Sequence, residues 1–192
     1  MNYEHEFGTV ELLINSEFET KGVDAFTISL LKAERQIRKI FTYLVYQHSH
    51  YNGIYDALQL RKVLFENGQM YFDNFIVGID FIYQKSVEDL YGEDYQKDIE
   101  LLKDLLKERN KIFHGQITNK FLSTEQLIER VESIKKWCKK LADKFNEEIG
   151  YDGFERNSYR KSGKELSLKN NEEFETVEKY SNFLKTIDRS KK

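Results

Sequence analysis

No proline occurs anywhere in the 192 residues, where an average chain has about 5%. Proline is the strongest breaker of helix interiors, because it lacks the N–H that bonds back and its ring collides with the preceding turn. A chain without it can run long helices, and apolar residues here recur at helical spacing over much of its length. The first such segment covers residues 24–48, with Asp24 as candidate N-cap and Phe26, Leu30, Ala33, Ile37, Ile40, Phe41 and Leu44 on one face. A shorter one covers 55–66, stopped by Asn67-Gly68. A third covers 70–90, rich in aromatic and β-branched residues that weaken the helix signal, and ends at Tyr91-Gly92. A fourth begins at Glu93-Asp94 and ends near Gly115. The fifth follows "LSTEQ", where Ser123 or Thr124 can cap and Gln126 can reach back. It carries Leu127, Val131, Ile134, Cys138, Leu141, Ala142 and Phe145 on one stripe and stops at Gly150.

These segments predict an all-α fold, an up-and-down helical bundle of four to five helices within residues 1–150. "TVELLI" near the N-terminus reads equally as strand or helix. Beyond Gly150 the apolar stripe disappears, so residues 151–192 read as a polar C-terminal extension, loose or folded into a short hairpin, with a small helix over 176–187. Apolar residues are 40% of the chain and charged residues 33%. That is enough to build a core beneath a well-solvated surface. No run of about 18 apolar residues occurs, which excludes an ordinary transmembrane helix. Acidic residues stand where a signal peptide carries basic ones, so a cytoplasmic protein away from membranes is expected.

The lone Cys138 excludes an intrachain disulfide or a cysteine-based zinc site and reads as a small core residue. His5, His48, His50 and His114 lack metal-ligand spacing, so neither metal nor cofactor is expected. His48 falls on the apolar face of the first segment and reads as a core or helix-end histidine. The net charge of −3 argues against a protein that coats nucleic acid, while leaving room for a local basic site. Lys135, Lys136, Lys139, Lys140 and Lys144 share one face of the fifth segment and read as solvated. Tyr159 and Arg160 in the extension can stack on and pair with RNA, although a mobile polar terminus is the preferred reading.

The stretch "ERNKIFHGQI", residues 108–117, ends the fourth segment. With Ile99 set at 0° and about 100° per residue, Leu101, Leu102, Leu105, Leu106, Ile112 and Phe113 fall between about 200° and 340°. Arg109 falls near 280°, inside that apolar arc. A guanidinium there needs a partner or a polar cleft. It can lie along apolar surface with its head in water, or pair with a carboxylate such as Glu34. His114, five residues on, lies about 7.5 Å along the axis and about 140° round, so the two side chains diverge within one chain. A histidine completing a helix end is the plain reading of His114.

"RNKIFHG" resembles the R-x4-H motif of the HEPN superfamily, with a polar residue after the arginine and glycine after the histidine. The resemblance covers roughly residues 20–150. It implies a homodimer whose interface brings two copies of Arg109 and His114 into one cleft. It also implies a metal-independent endoribonuclease of toxin–antitoxin or antiphage-defence type, with RNA as substrate and an antitoxin or other defence-system protein as partner. In that chemistry a 2′-OH attacks its adjacent phosphate, histidine moves the proton, arginine holds the phosphorane charge, and Asn110 supports. The products are a 2′,3′-cyclic phosphate and a 5′-hydroxyl. Relatives paired with a nucleotidyltransferase antitoxin often have tyrosine two residues after the histidine. Gln116 stands there instead, which argues against that pairing. The alternatives are a non-catalytic HEPN-like domain that binds nucleotide, RNA or a partner protein, and a helical interaction protein unconnected with nucleic acid.

Overall fold

A computed structural model describes residues 3–67, 70–114 and 122–187. Helix α1 runs over Tyr3–Ile14, α2 over Lys21–Gln47, α3 over Ile54–Glu66 and α4 over Phe72–Ile82. They are followed by α5 at Val87–Tyr91, α6 at Tyr95–Phe113, α7 at Thr124–Ile149 and α8 at Val177–Ile187, with a 3-10 turn at Asn171–Phe174. The described fold is an all-α bundle in which α2 is the central element, packed chiefly against α7, α4 and α1. Helix α2 is amphipathic in its first half. From Lys39 to Tyr46 every residue is buried, as befits a helix surrounded on all sides. None of the described helices is long and apolar enough to cross a membrane.

Local chemistry explains most boundaries. Ser123 caps α7 by accepting the Gln126 N–H at 3.3 Å, while the Gln126 side chain accepts the Ser123 N–H at 3.0 Å. Gly150 ends that helix at φ 73°. Asp24 does not cap α2. The helix starts earlier, with Thr20 as the cap residue, and the Thr20 hydroxyl donates to the Asp24 carboxylate at 2.7 Å. The ambiguous N-terminal segment is helical: α1 buries Phe7 and Val10 against α2 and α7.

The expected single helix over 70–90 is two helices. Ser86 opens α5 with a capping box closed by Asp89, a signal present in the sequence. Between them Tyr83 forms an antiparallel bridge with Leu168, and the Lys169 N–H donates to the Ile82 carbonyl at 2.8 Å. The chain leaves its helix because a distant segment satisfies its backbone instead.

That segment belongs to the polar extension, expected to be loose or a short hairpin; its expected small helix is α8, and residues 151–187 as a whole are folded onto the bundle. Tyr151 stacks on Tyr43 with ring centroids 4.4 Å apart, and Phe154, Phe174, Tyr180 and Leu184 are buried. Lys161 Nζ donates to the carbonyls of Tyr46 and His48 at 2.8 and 2.9 Å, satisfying the end of α2. The Gln36 side chain donates to Cys138 O at 2.9 Å and Asp152 O at 3.1 Å, so α2, α7 and the extension meet at one amide. Gly153, at φ 81°, brings the extension so close that a Cβ there would lie 2.6 Å from Gln36 Cγ.

Candidate functional site

Helix α6 carries Arg109 on its buried face, with Ile99, Leu102 and Leu105. The residue is 8% exposed, and its guanidinium crosses to α2 to pair with Glu34. Nη1 bonds one carboxylate oxygen of Glu34, and Nη2 lies 3.3 Å from the other. The fork is completed from α6 itself, where Asn110 Oδ1 accepts from Nη2 at 2.8 Å and from Nε at 3.2 Å. The Phe113 ring lies 5.9 Å below the guanidinium carbon. The structure therefore realises the carboxylate-paired reading of Arg109. A two-pronged ion pair ties α2 to α6 and fixes the orientation of the guanidinium.

His114 sits at the C-cap of α6, where its backbone N–H donates to the Asn110 carbonyl at 3.1 Å. Its imidazole is exposed, and Arg109 is not among its contacts. Within one chain the motif supplies a fixed cation and, beyond it, an exposed imidazole. Gly115 and Gln116 lie outside the described residues. Two exposed apolar side chains stand close to the ion pair along its two helices. Phe113 is 59% exposed, and Leu31, three residues before Glu34 and on the same side of α2, is 49% exposed.

The other sequence candidates take structural roles. His48 is buried and stacks on Phe174 at 4.4 Å, and burial pushes its pKa down to about 4. Cys138 is fully buried, which pushes its thiol pKa up and leaves it unreactive. Several lysines expected to be merely solvated on α7 are ion-paired instead: Lys140 to Asp94 at 3.1 Å, and Lys135 to Glu132 at 2.9 Å and to Glu11. Arg160 pairs with Glu155 at 2.7 Å and donates to the Gly150 carbonyl, so it secures the extension. Among the described residues no three His, Cys, Asp or Glu side chains converge as a metal-ligand set.

A second feature escaped the sequence reading. A cavity of about 570 Å³ opens between α2, α3 and residues 156–159, lined by Arg35, Arg38, Lys39, Arg61 and Arg156. The run "ERQIRK" on α2 was its one legible trace, since the other two arginines come from distant segments. No family model, curated protein or solved structure matches this chain. The functional reading therefore rests on its residues and their geometry.

Proposed function

We propose that the chain is a HEPN-like, metal-independent endoribonuclease whose site is completed by a second copy. The observation that carries this reading is the setting of Arg109. Its guanidinium is held in one orientation by Glu34 and Asn110, beside exposed Leu31 and Phe113 and near the exposed imidazole of His114. Exposed apolar side chains around a fixed cation suit a two-fold contact, because each copy offers the same patch to the other. Across such a contact His114 of one chain and Arg109 of the other would converge, which their divergence on one helix does not allow.

The step balances without a metal. The RNA 2′-oxygen forms a bond to its adjacent phosphorus as His114 removes the 2′ proton. Arg109 donates to the crowded non-bridging oxygens, and the P–O5′ bond breaks as water gives a proton to the leaving 5′-oxygen. Asn110 keeps the guanidinium aimed. An antitoxin or other defence protein is the proposed regulator.

One observation favours the second reading, a HEPN-like domain that binds nucleotide, RNA or a partner without cleaving it. The Arg109 fork is already neutralised by Glu34, and a spent guanidinium holds a phosphorane less well. Incubation with single-stranded RNA in EDTA separates the two. The ribonuclease reading expects cleavage to products with 2′,3′-cyclic phosphate ends, abolished in His114→Ala, whose exposed side chain makes that variant safe for folding. RNA left intact by the wild type, or cut equally by His114→Ala, defeats it in favour of binding.

A further inference from the structure

The cavity between α2, α3 and the extension gathers positive charge from three separate segments. Five of its lining residues are cationic: Arg35, Arg38 and Lys39 from α2, Arg61 from α3 and Arg156 from the extension. Among the described residues no aspartate or glutamate lines it, although acidic residues outnumber basic ones in the chain, 33 to 30. Elsewhere lysines and arginines are commonly paired with carboxylates, as in Lys32–Glu6, Lys85–Glu148 and Lys140–Asp94. Among the described residues Arg38, Arg61 and Arg156 have no such partner. Arg35 has a distant one, Glu6, at 3.6 Å.

Like charges brought together oppose folding unless something answers them. The arrangement is nevertheless built from the inside. Lys39 is 9% exposed and donates to the carbonyls of Phe154, at 3.1 Å, and Glu155. The buried hydroxyls of Thr42 and Ser158 meet at 3.0 Å beneath it. Burial first, and then Arg35, push the Lys39 pKa down, against the opposing pull of Glu6, Asp152 and Glu155. The opposite wall is apolar, made by Leu64, Phe65 and Phe75, with Phe65 84% exposed at the rim. Tyr159 lies under the Arg61 guanidinium at 5.2 Å, so an aromatic and a planar cation already stack there.

We propose that this cavity is a binding site for a small phosphate ester carrying a flat aromatic group, a nucleoside polyphosphate being the commonest form of that chemistry. Three guanidiniums without a carboxylate partner, one of them steadied on Tyr159, match several phosphate oxygens through paired N–H donors. The volume exceeds what a lone phosphate needs and falls within the usual range of small-molecule sites, about 300–1,000 Å³. Phe65 and the apolar wall take the ring. The site shares no residue with Arg109, Asn110 or His114, so it stands whether or not the chain cleaves RNA. It adjoins them, because Arg38 lies about one helical turn beyond Glu34 on α2.

Calorimetric titration of the full chain in EDTA tests this, with ATP, adenosine, inorganic phosphate and a single-stranded RNA oligonucleotide as separate ligands. Expected is saturable ATP binding, with adenosine and phosphate each weaker by about tenfold or more. Arg38→Ala and Arg61→Ala should each weaken ATP by about tenfold, the scale of one charged hydrogen-bonding group. Phe65→Ala should weaken ATP and leave phosphate unchanged. Lys62→Ala, on the same helix but paired with Glu66 at 3.8 Å, should change nothing. All four side chains are exposed, so melting temperature should report intact folds. The proposal is overturned by no ATP binding at about 1 mM, by phosphate binding as tightly as ATP, by the RNA binding while ATP does not, or by affinity unchanged in Arg38→Ala and Arg61→Ala.

Discussion

Removing the Glu34 carboxylate tests what the fold asks of Arg109. In Glu34→Ala the guanidinium stays 8% exposed on α6 but loses both its counter-charge and two of its hydrogen bonds. Breaking a fully buried pair this way costs about 3–5 kcal/mol, and an exposed pair about 0–1 kcal/mol. The Arg109 side chain is 10% exposed and that of Glu34 is 29% exposed, so water can reach one end of the bond. Asn110 still accepts from Nε and Nη2. About 2 kcal/mol is therefore expected, between the two limits. For a domain of this size that lowers Tm by about 4–8 °C. Arg109→Met keeps the apolar stem and removes the head. A double-mutant cycle measured by urea unfolding should give a coupling of about 1–2 kcal/mol between the two positions. A coupling below about 0.5 kcal/mol would refute the inference that this pair fastens α2 to α6. The cycle also bears on function. Arg109→Lys retains the charge and loses the fork, so cleavage should fall far more than stability does.

Three further outcomes are expected. His48 has a folded-state pKa near 4 against an ordinary 6.5, so its contribution to stability is complete above pH 6.5 and is lost as pH falls towards 4. The loss is about 3 kcal/mol, read as the difference in urea midpoint against pH between the wild type and His48→Phe; parallel profiles would show that His48 is not the source. Gly153→Ala places a Cβ 2.9 Å from the Gln36 carbonyl in a left-handed backbone, so a loss of about 2 kcal/mol or more is expected in the same assay. Ser123→Ala removes the α7 cap and should cost about 1 kcal/mol, with Ser123→Asp recovering most of it; an unchanged midpoint in Ser123→Ala would show the cap to be idle.

Much of the helical architecture was legible because its causes are local. The α7 cap at Ser123, its stop at Gly150 and the apolar stripe between them are each set by near neighbours, whereas the capping box at Ser86 and Asp89, equally local, lay inside a segment expected to be one helix. The position of Arg109 on an apolar face follows from periodicity alone, and its need for a carboxylate such as Glu34 follows from that position. The rest was illegible for an equally physical reason. The 151–187 segment looks polar because its apolar residues, Tyr151, Phe154, Phe174, Tyr180 and Leu184, follow no single period. All five are buried. The break at Tyr83 depends on Leu168, and the basic cavity on arginines from three separate segments. The sequence by itself determined the long helices α2, α6 and α7 and which face of each is apolar, since backbone hydrogen bonding and side-chain period are set by near neighbours. Only the tertiary structure decided which charges meet and which are left unanswered, because pairing depends on distances across the bundle that no local pattern encodes.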